Sequence, residues 1–532
     1  MDEKQRTTLA LALTAIILIV WFVVFDQTRQ PKEPAATEQK TAQAQHSLPA
    51  REAKPISVAP VQATPAVQAP GSSIVVDTPL YRATFTTTGG CLTSFRLKKY
   101  LTTMKADAQA EELLTAPMPT LMLGAGATDA GLAYEASRQG RFSLDRSEAI
   151  EFRAEAAPGV TVRKIYSLDP NTYLLGYRTV VENHTASPMA APTAVVFGST
   201  YPLGKKLEGY AFQGPVLLNG KHLEEFKLDK VKKPDSFREF TGAVQWFGYE
   251  DKYFLQAIIN MDAPETTLMV KRASERTVEL HYKTAPASIQ PGAALSRDSL
   301  IFLGPKEIKT LKSAGHNLFK ALDFGFFDII AKPLLISMNW IYRYAGSYGW
   351  TIIILTVIIK ILLYPLTLKS FTSMKELQKI QPLMKEIQQQ YKDDKQKMNQ
   401  ELMRLYQEHK INPMGGCLPM LLQIPILFAL YKVFYQAIEL RHTPFHIVGT
   451  WLPDLSAADP YWITPILMGA TQFVMQKMTP TTGDPMQQKV MLIMPVVFTA
   501  LFINFPSGLV IYWLVSNILS IVQQAYINRK HA

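Results

Sequence analysis

Thr351-Ile352-Ile353-Ile354-Leu355-Thr356-Val357-Ile358-Ile359-Lys360-Ile361-Leu362-Leu363-Tyr364-Pro365 is an apolar run with a single charge inside it. A bilayer core of about 30 Å takes about 20 helical residues, and the apolar segment 348–367 fits that length. An ammonium near the centre of such a helix costs roughly 2.5–3.5 kcal/mol on insertion scales. Two readings of Lys360 follow. Its stem can snorkel, because the expected helix end lies about six residues or roughly 9 Å away. Alternatively it faces a wet surface and does work there. Thr356 stands one turn earlier on the same helix face and adds a polar group to that surface.

Four more apolar segments follow, at 418–437, 461–477, 489–504 and 508–527, with Pro425, Pro465 and Pro495 inside them. Neighbouring helices can absorb such breaks. The last segment carries Trp513, Ser516, Asn517 and Ser520 at i, i+3, i+4 and i+7, while Gln423 lies in the second and Gln472 and Gln476 in the third. Polar stripes in membranes more often join helices than line cavities. Together with Lys360, however, five short helices would leave a cavity, so both readings stand. The candidate groove residues are Lys360, Thr356, Gln423, Trp513, Ser516 and Asn517.

The loop between the first two of these segments carries nine basic residues from Lys369 to Lys410, whereas 438–460 has only Arg441. Positive-inside logic places the long loop and the C-terminus in the cytoplasm. That loop reads as a helical hairpin over 369–411. Pro382 suits a first turn and Asp394 can cap the second helix. Met384, Ile387 and Tyr391 form one stripe, and Met398, Leu402 and Leu405 the other. The stripes serve either the hairpin itself or a docked partner. Methionine is frequent after residue 374, which suits surfaces accepting varied apolar partners as well as plain gap-filling.

Upstream, Leu9 to Phe25 is apolar apart from Thr14 and follows Lys4 and Arg6, so residues 1–26 read as an uncleaved anchor with its N-terminus inside. Residues 27–71 are rich in Pro, Ala, Gln and Glu and read as an extended linker. From 72 to 315 the pattern turns to period two, as in Tyr81–Thr88, Arg163–Leu168 and Thr277–Tyr282, with turns such as Asp169-Pro170-Asn171 between strands. This predicts a large antiparallel β-sandwich on the far side of the membrane. Phe319 to Tyr344, within a segment 316–346, mixes aromatic and aliphatic residues with five charges and reads as an interfacial amphipathic helix. The whole chain has 532 residues, a net charge of +11, 48% hydrophobic and only 19% charged residues, and its apolar residues gather into one run near the N-terminus and several after about residue 325, which excludes a soluble cytosolic protein.

Catalytic chemistry is not legible. There is no H-E-x-x-H, C-x-x-C or G-x-S-x-G. Gly198–Lys205 departs from a phosphate loop in spacing, and Lys206 stands where Ser or Thr would hold magnesium. Two cysteines exclude a disulfide scaffold, and Cys91 reads as a buried apolar residue. No cofactor, metal or nucleotide is expected. Asn183-His184-Thr185 matches a glycosylation pattern of low specificity.

Five strings are specific together: Tyr364-Pro365-Leu366-Thr367; Asn412-Pro413-Met414-Gly415-Gly416-Cys417-Leu418-Pro419; Gln423-Ile424-Pro425-Ile426; Asp484-Pro485-Met486-Gln487-Gln488-Lys489; and Phe505-Pro506-Ser507-Gly508-Leu509. The chain resembles the YidC-type membrane protein insertases in their Gram-negative form. The resemblance implies a polytopic α-helical membrane protein of six transmembrane helices. Five of them, within 347–528, would surround a hydrophilic groove open to cytoplasm and lipid, beneath a large periplasmic domain. It implies insertion and folding of nascent inner-membrane proteins, alone or with the Sec translocon, and no enzyme activity. The partners so implied are nascent membrane proteins, the lipid bilayer, the ribosome and the signal recognition particle receptor. Lys360 falls where many members have arginine; lysine keeps the charge and loses the bidentate fork. The stretch 529–532 after the core is short, so a long basic ribosome-binding tail is not expected. The rival classes are a secondary transporter using Lys360, for which no inverted repeat is visible, and a membrane-anchored periplasmic binding protein.

Overall fold

A computed structural model describes residues 71–122, 128–192, 194–200, 212–227, 237–261, 266–274, 277–283, 287–392, 394–409, 418–445, 451–478 and 485–530. The anchor 1–26, most of the linker, most of the Gly198–Lys205 loop and Cys417 lie outside the described residues.

The first half is β-structure. Nine strands form one sheet in the order 222–225, 214–219, 244–250, 254–260, 294–305, 174–183, 160–168, 148–157 and 135–136. Two five-stranded sheets cover it side by side. Phe85 of one meets Phe152 and Tyr166 of the long sheet, with ring centroids 5.9 and 4.9 Å apart. In the other, Phe197 and Tyr282 meet Tyr249 and Phe247 at 5.0 and 5.1 Å. Alternation does this: Tyr81, Ala83 and Phe85 point inward while Arg82, Thr84 and Thr86 do not. The sandwich therefore forms as the period-two pattern predicts, with one correction. Ser73–Asp77 pairs in parallel with Gly140–Ser143, which the roughly 60 residues between them make reachable. Cys91 is buried. Asn183 is fully buried, its amide donating to Ser187 O and Ile289 O, so the glycosylation pattern is spent inside the fold.

The second half is helical: α1 (Ile308–Ala314), α2 (Asp328–Ala345), α3 (Tyr348–Lys379), α4 (Gln381–Gln390), α5 (Lys395–Glu408), α6 (Leu418–Gln436), α7 (Ile463–Met478), α8 (Pro485–Phe502) and α9 (Ser507–Lys530). The interfacial helix starts later than the apolar pattern suggests. Phe319 to Phe327 makes short 3-10 turns, Gly325 takes a positive φ of 66°, and Asp323 Oδ1 accepts from Gly325 N at 2.8 Å, so the helix begins only at Asp328. Its Ala331, Leu335, Met338 and Ile341 are buried, while Ile329, Trp340 and Tyr344 are exposed on another face. Conversely, α3 runs past 367 and through Pro365 to Lys379. Among the described residues, Tyr348–Lys379 and Ser507–Ile527 are long and apolar enough to cross a membrane.

α9 is the hub, packing on α3, α6 and α7; α8 packs on α7, and α2 on α3 and α6. Gly469 in α7 allows close approach, since a Cβ there would lie 1.9 Å from Thr499 Oγ1 of α8. Met384 and Leu405 are buried against Leu377 and Ile380, with Ile387 and Leu402 packed on them. That α4–α5 pair thus has a small core of its own, and Tyr391 and Met398 are half-buried nearby.

The β-domain is fastened to one rim of the helices. Arg441, just after α6, donates from Nη2 to Glu111 Oε2 at 2.8 Å, and its guanidinium lies 5.2 Å from both the Tyr253 and the Phe254 ring centroids. Such contacts are worth about 0.5–2 kcal/mol each. Tyr253 OH donates to Ser456 Oγ at 3.2 Å, and the Lys252 ammonium sits 4.0 Å from the Tyr435 ring centroid.

Glu439 at the same rim accepts from Asn339 Nδ2 at 3.0 Å. Burial, aided by the nearby Glu307 carboxylate and opposed by the Asn339 bond, pushes its carboxyl up to about 7. A folded pKa above the unfolded one gives stability that is complete below about pH 4.5 and lost as pH rises through 7. The thermal midpoint of the wild type should therefore fall between pH 5 and pH 8. Glu439→Gln should lessen that fall, by on the order of 2–3 kcal/mol at pH 8, leaving the part that buried Glu250 contributes. Parallel pH profiles for the two proteins would refute this.

Candidate functional site

The intramembrane polar residues meet around α9. Lys360 Nζ donates to Ser520 Oγ at 2.7 Å. Gln423 Nε2 donates to Ser516 Oγ at 3.0 Å. Trp513 Nε1 donates to Gln472 Oε1 at 3.2 Å, and its indole packs against Phe498 and Phe502. Asn517 Nδ2 lies 3.4 Å from Met468 O and 3.3 Å from Thr471 Oγ1. Two turns on, Gln524 Nε2 donates to Met478 O at 2.6 Å. The helical period explains the division: Ser516 and Ser520 reach α6 and α3, while Trp513, Asn517 and Gln524 reach α7 and its C-terminal end.

The expected stripe is thus present, and each member listed above ties α9 to another helix. An amide or hydroxyl left unpaired in hydrocarbon is costly, which favours this pairing. Five of the six candidate residues join the network. Thr356 does not: it is 1% exposed, and its hydroxyl donates to Ile352 O at 2.6 Å within its own helix. Lys360 and Trp513 are half-buried rather than sealed. Four side chains of the network are absent from the six candidates: Ser520, Gln472, Thr471 and Gln524. Ser520 was legible as the last member of the i, i+3, i+4, i+7 series. Thr471 had no comparable signal, since a threonine in an apolar helix usually bonds its own backbone, as this one also does to Leu467 O and Met468 O.

Chemically, the arrangement offers one ammonium among neutral donors and acceptors, a setting for binding and hydration. Among the described residues no cluster of three His, Cys, Asp or Glu side chains could hold a metal ion.

Two family models match the chain: one described as the YidC periplasmic domain, over residues 73–337, and one as the 60Kd inner membrane protein, over residues 340–532. A membrane protein insertase YidC from Syntrophus aciditrophicus is 40% identical over 564 aligned residues, covering 100% of both chains. The chain belongs to the YidC family of membrane protein insertases. A YidC from Geotalea daltonii is 39% identical with 99% of each chain covered, and one from Geobacter sulfurreducens is 41% identical with 85% of each covered. The sandwich accordingly falls in the YidC periplasmic domain, whose match runs to residue 337 in α2, and the helices from α3 onward fall in the inner-membrane part.

Proposed function

We propose that this YidC-family protein inserts and folds nascent inner-membrane proteins through a groove whose charged element is Lys360. The observation that carries the reading is the Lys360 ammonium, half-buried between α3 and α9 and bonded to a neutral hydroxyl. An apolar nascent helix partitions into lipid readily; the barrier is moving its polar flank across hydrocarbon. A hydrated recess with one positive charge shortens that passage and attracts acidic flanks. Short helices that thin the bilayer lower the barrier further.

In this reading six helices span the membrane, both termini are cytoplasmic, and the 369–411 hairpin lies on the cytoplasmic side. Substrates and lipid are its immediate partners. The Sec translocon, the ribosome and the signal recognition particle receptor are the further partners we propose, and the protein itself needs no nucleotide. The relatives lend no support to a transporter or an anchored binding protein.

The test is photo-crosslinking to a stalled nascent membrane protein from positions 360, 423 and 513, with buried Thr356 as the internal control. Adducts from the first three and few from 356 are expected. Absence of adducts at all four, with the substrate still inserting, would leave the polar network as helix glue alone.

A further inference from the structure

We propose that Ser520 is the positioning residue of the groove cation: it accepts from Lys360 and fixes the ammonium beside α9. This rests on the groove reading above. Gly508 lies against Ile352 near the starts of α9 and α3, and Ser520 meets Lys360 farther in, so the two helices run side by side in the same direction. Lys360 is 12 residues into α3 and Ser520 is 13 into α9, depths of about 18 and 20 Å at 1.5 Å per residue. The stem therefore crosses sideways between helices. A snorkelling stem would instead run along α3 toward its C-terminal end.

The neighbouring polar groups of α9 are engaged elsewhere: Ser516 with Gln423, Asn517 with Thr471, and Trp513 with Gln472. Ser520 is the hydroxyl at the right height and azimuth. Its chemistry also fits. An ammonium has three donors, so one bond to Ser520 leaves two for water or for a carboxylate or carbonyl of a passing segment. A carboxylate at position 520 would cancel the charge, whereas a hydroxyl orients it and leaves its field intact. A single acceptor suits the point-like ammonium of lysine better than a planar guanidinium.

The test is a double-mutant cycle in the full chain, using two single-span substrates that differ only in two Asp or two Asn residues in the translocated tail. Ser520→Ala is expected to slow insertion of the acidic substrate about five- to tenfold, within the net range of a single hydrogen bond, and of the neutral one less than twofold. Ser520→Thr should restore both. In a Lys360→Met background, Ser520→Ala should add nothing. Losses that multiply, or that fall equally on both substrates, overturn the proposal. If Lys360→Met itself inserts both substrates normally, the groove reading fails, and the placement is then decided by NMR of 13C-lysine-labelled protein. Displacement of the Lys360 Cε resonance by Ser520→Ala and its return in Ser520→Thr uphold it; an unmoved resonance overturns it.

Discussion

Lys360→Ala is expected to reduce insertion of substrates with acidic translocated segments by about tenfold or more, and of neutral ones far less. The size follows from removing a charge-assisted contact in a medium of low dielectric, where about 1.4 kcal/mol is a factor of ten. The selectivity follows from the site, because the network around α9 is otherwise neutral. Ser516 and Asn517 are buried and bonded to neighbouring helices, and Gln423 and Gln472 are neutral, so of these groups only Lys360 can attract a carboxylate. Lys360→Arg should retain most activity toward both substrate types, since the charge persists. The measurement is protease protection of the paired substrates in vesicles. Equal loss across acidic and neutral substrates would assign Lys360 to hydration and leave electrostatic attraction without a role.

The largest stability effect is expected inside the β-domain. Lys164 and Asp129 are both 0% exposed, with Nζ 2.6 Å from Oδ2. The ammonium also donates to Gly89 O at 2.6 Å and Pro119 O at 3.2 Å. Asp129 accepts from Tyr134 OH and from Leu121 N, each at 2.8 Å. Every lysine donor thus has an acceptor, and four chain segments converge on one ion pair. Lys164→Met would strand a buried carboxylate and should cost about 3–5 kcal/mol. Adding Asp129→Leu should recover much of that loss, because the penalty comes from the unpaired charge. Urea midpoints followed by limited proteolysis of the periplasmic domain would measure both. A single variant within about 1 kcal/mol of wild type would refute the pair's role, since exposed pairs rarely exceed that.

This ion pair also illustrates what the sequence made legible. The strand holding Lys164 was clear from alternation, and its inward positions read Val162, Lys164, Tyr166 and Leu168. A lysine in that set was a visible signal for a buried partner, but Asp129 sits in a 3-10 turn 35 residues away, and nothing local links them. The membrane half behaved similarly. Lys360 and the α9 stripe were legible because helix period and burial cost are local properties. Which helix each stripe residue bonds depends on how α3, α6 and α7 pack, and that is written in long-range contacts. The start of α2 lies later than its apolar pattern suggests, because a glycine with positive φ and an aspartate turn delay it, while α3 stays helical through Pro365 beyond its apolar segment.

The fastening of Arg441 between Tyr253, Phe254 and Glu111 gives the bundle one clamped end. α6, the helix leading into that clamp, has 19 residues and so a lever arm of about 28 Å. A rod held at one end moves most at the other, and a tilt of about 10° would shift its far tip by about 5 Å at that length. Compliance should therefore be graded along the helices, stiff beneath the β-domain and soft at the opposite mouth. The domain then acts as a fixed mount that restrains one end of the bundle more than the other.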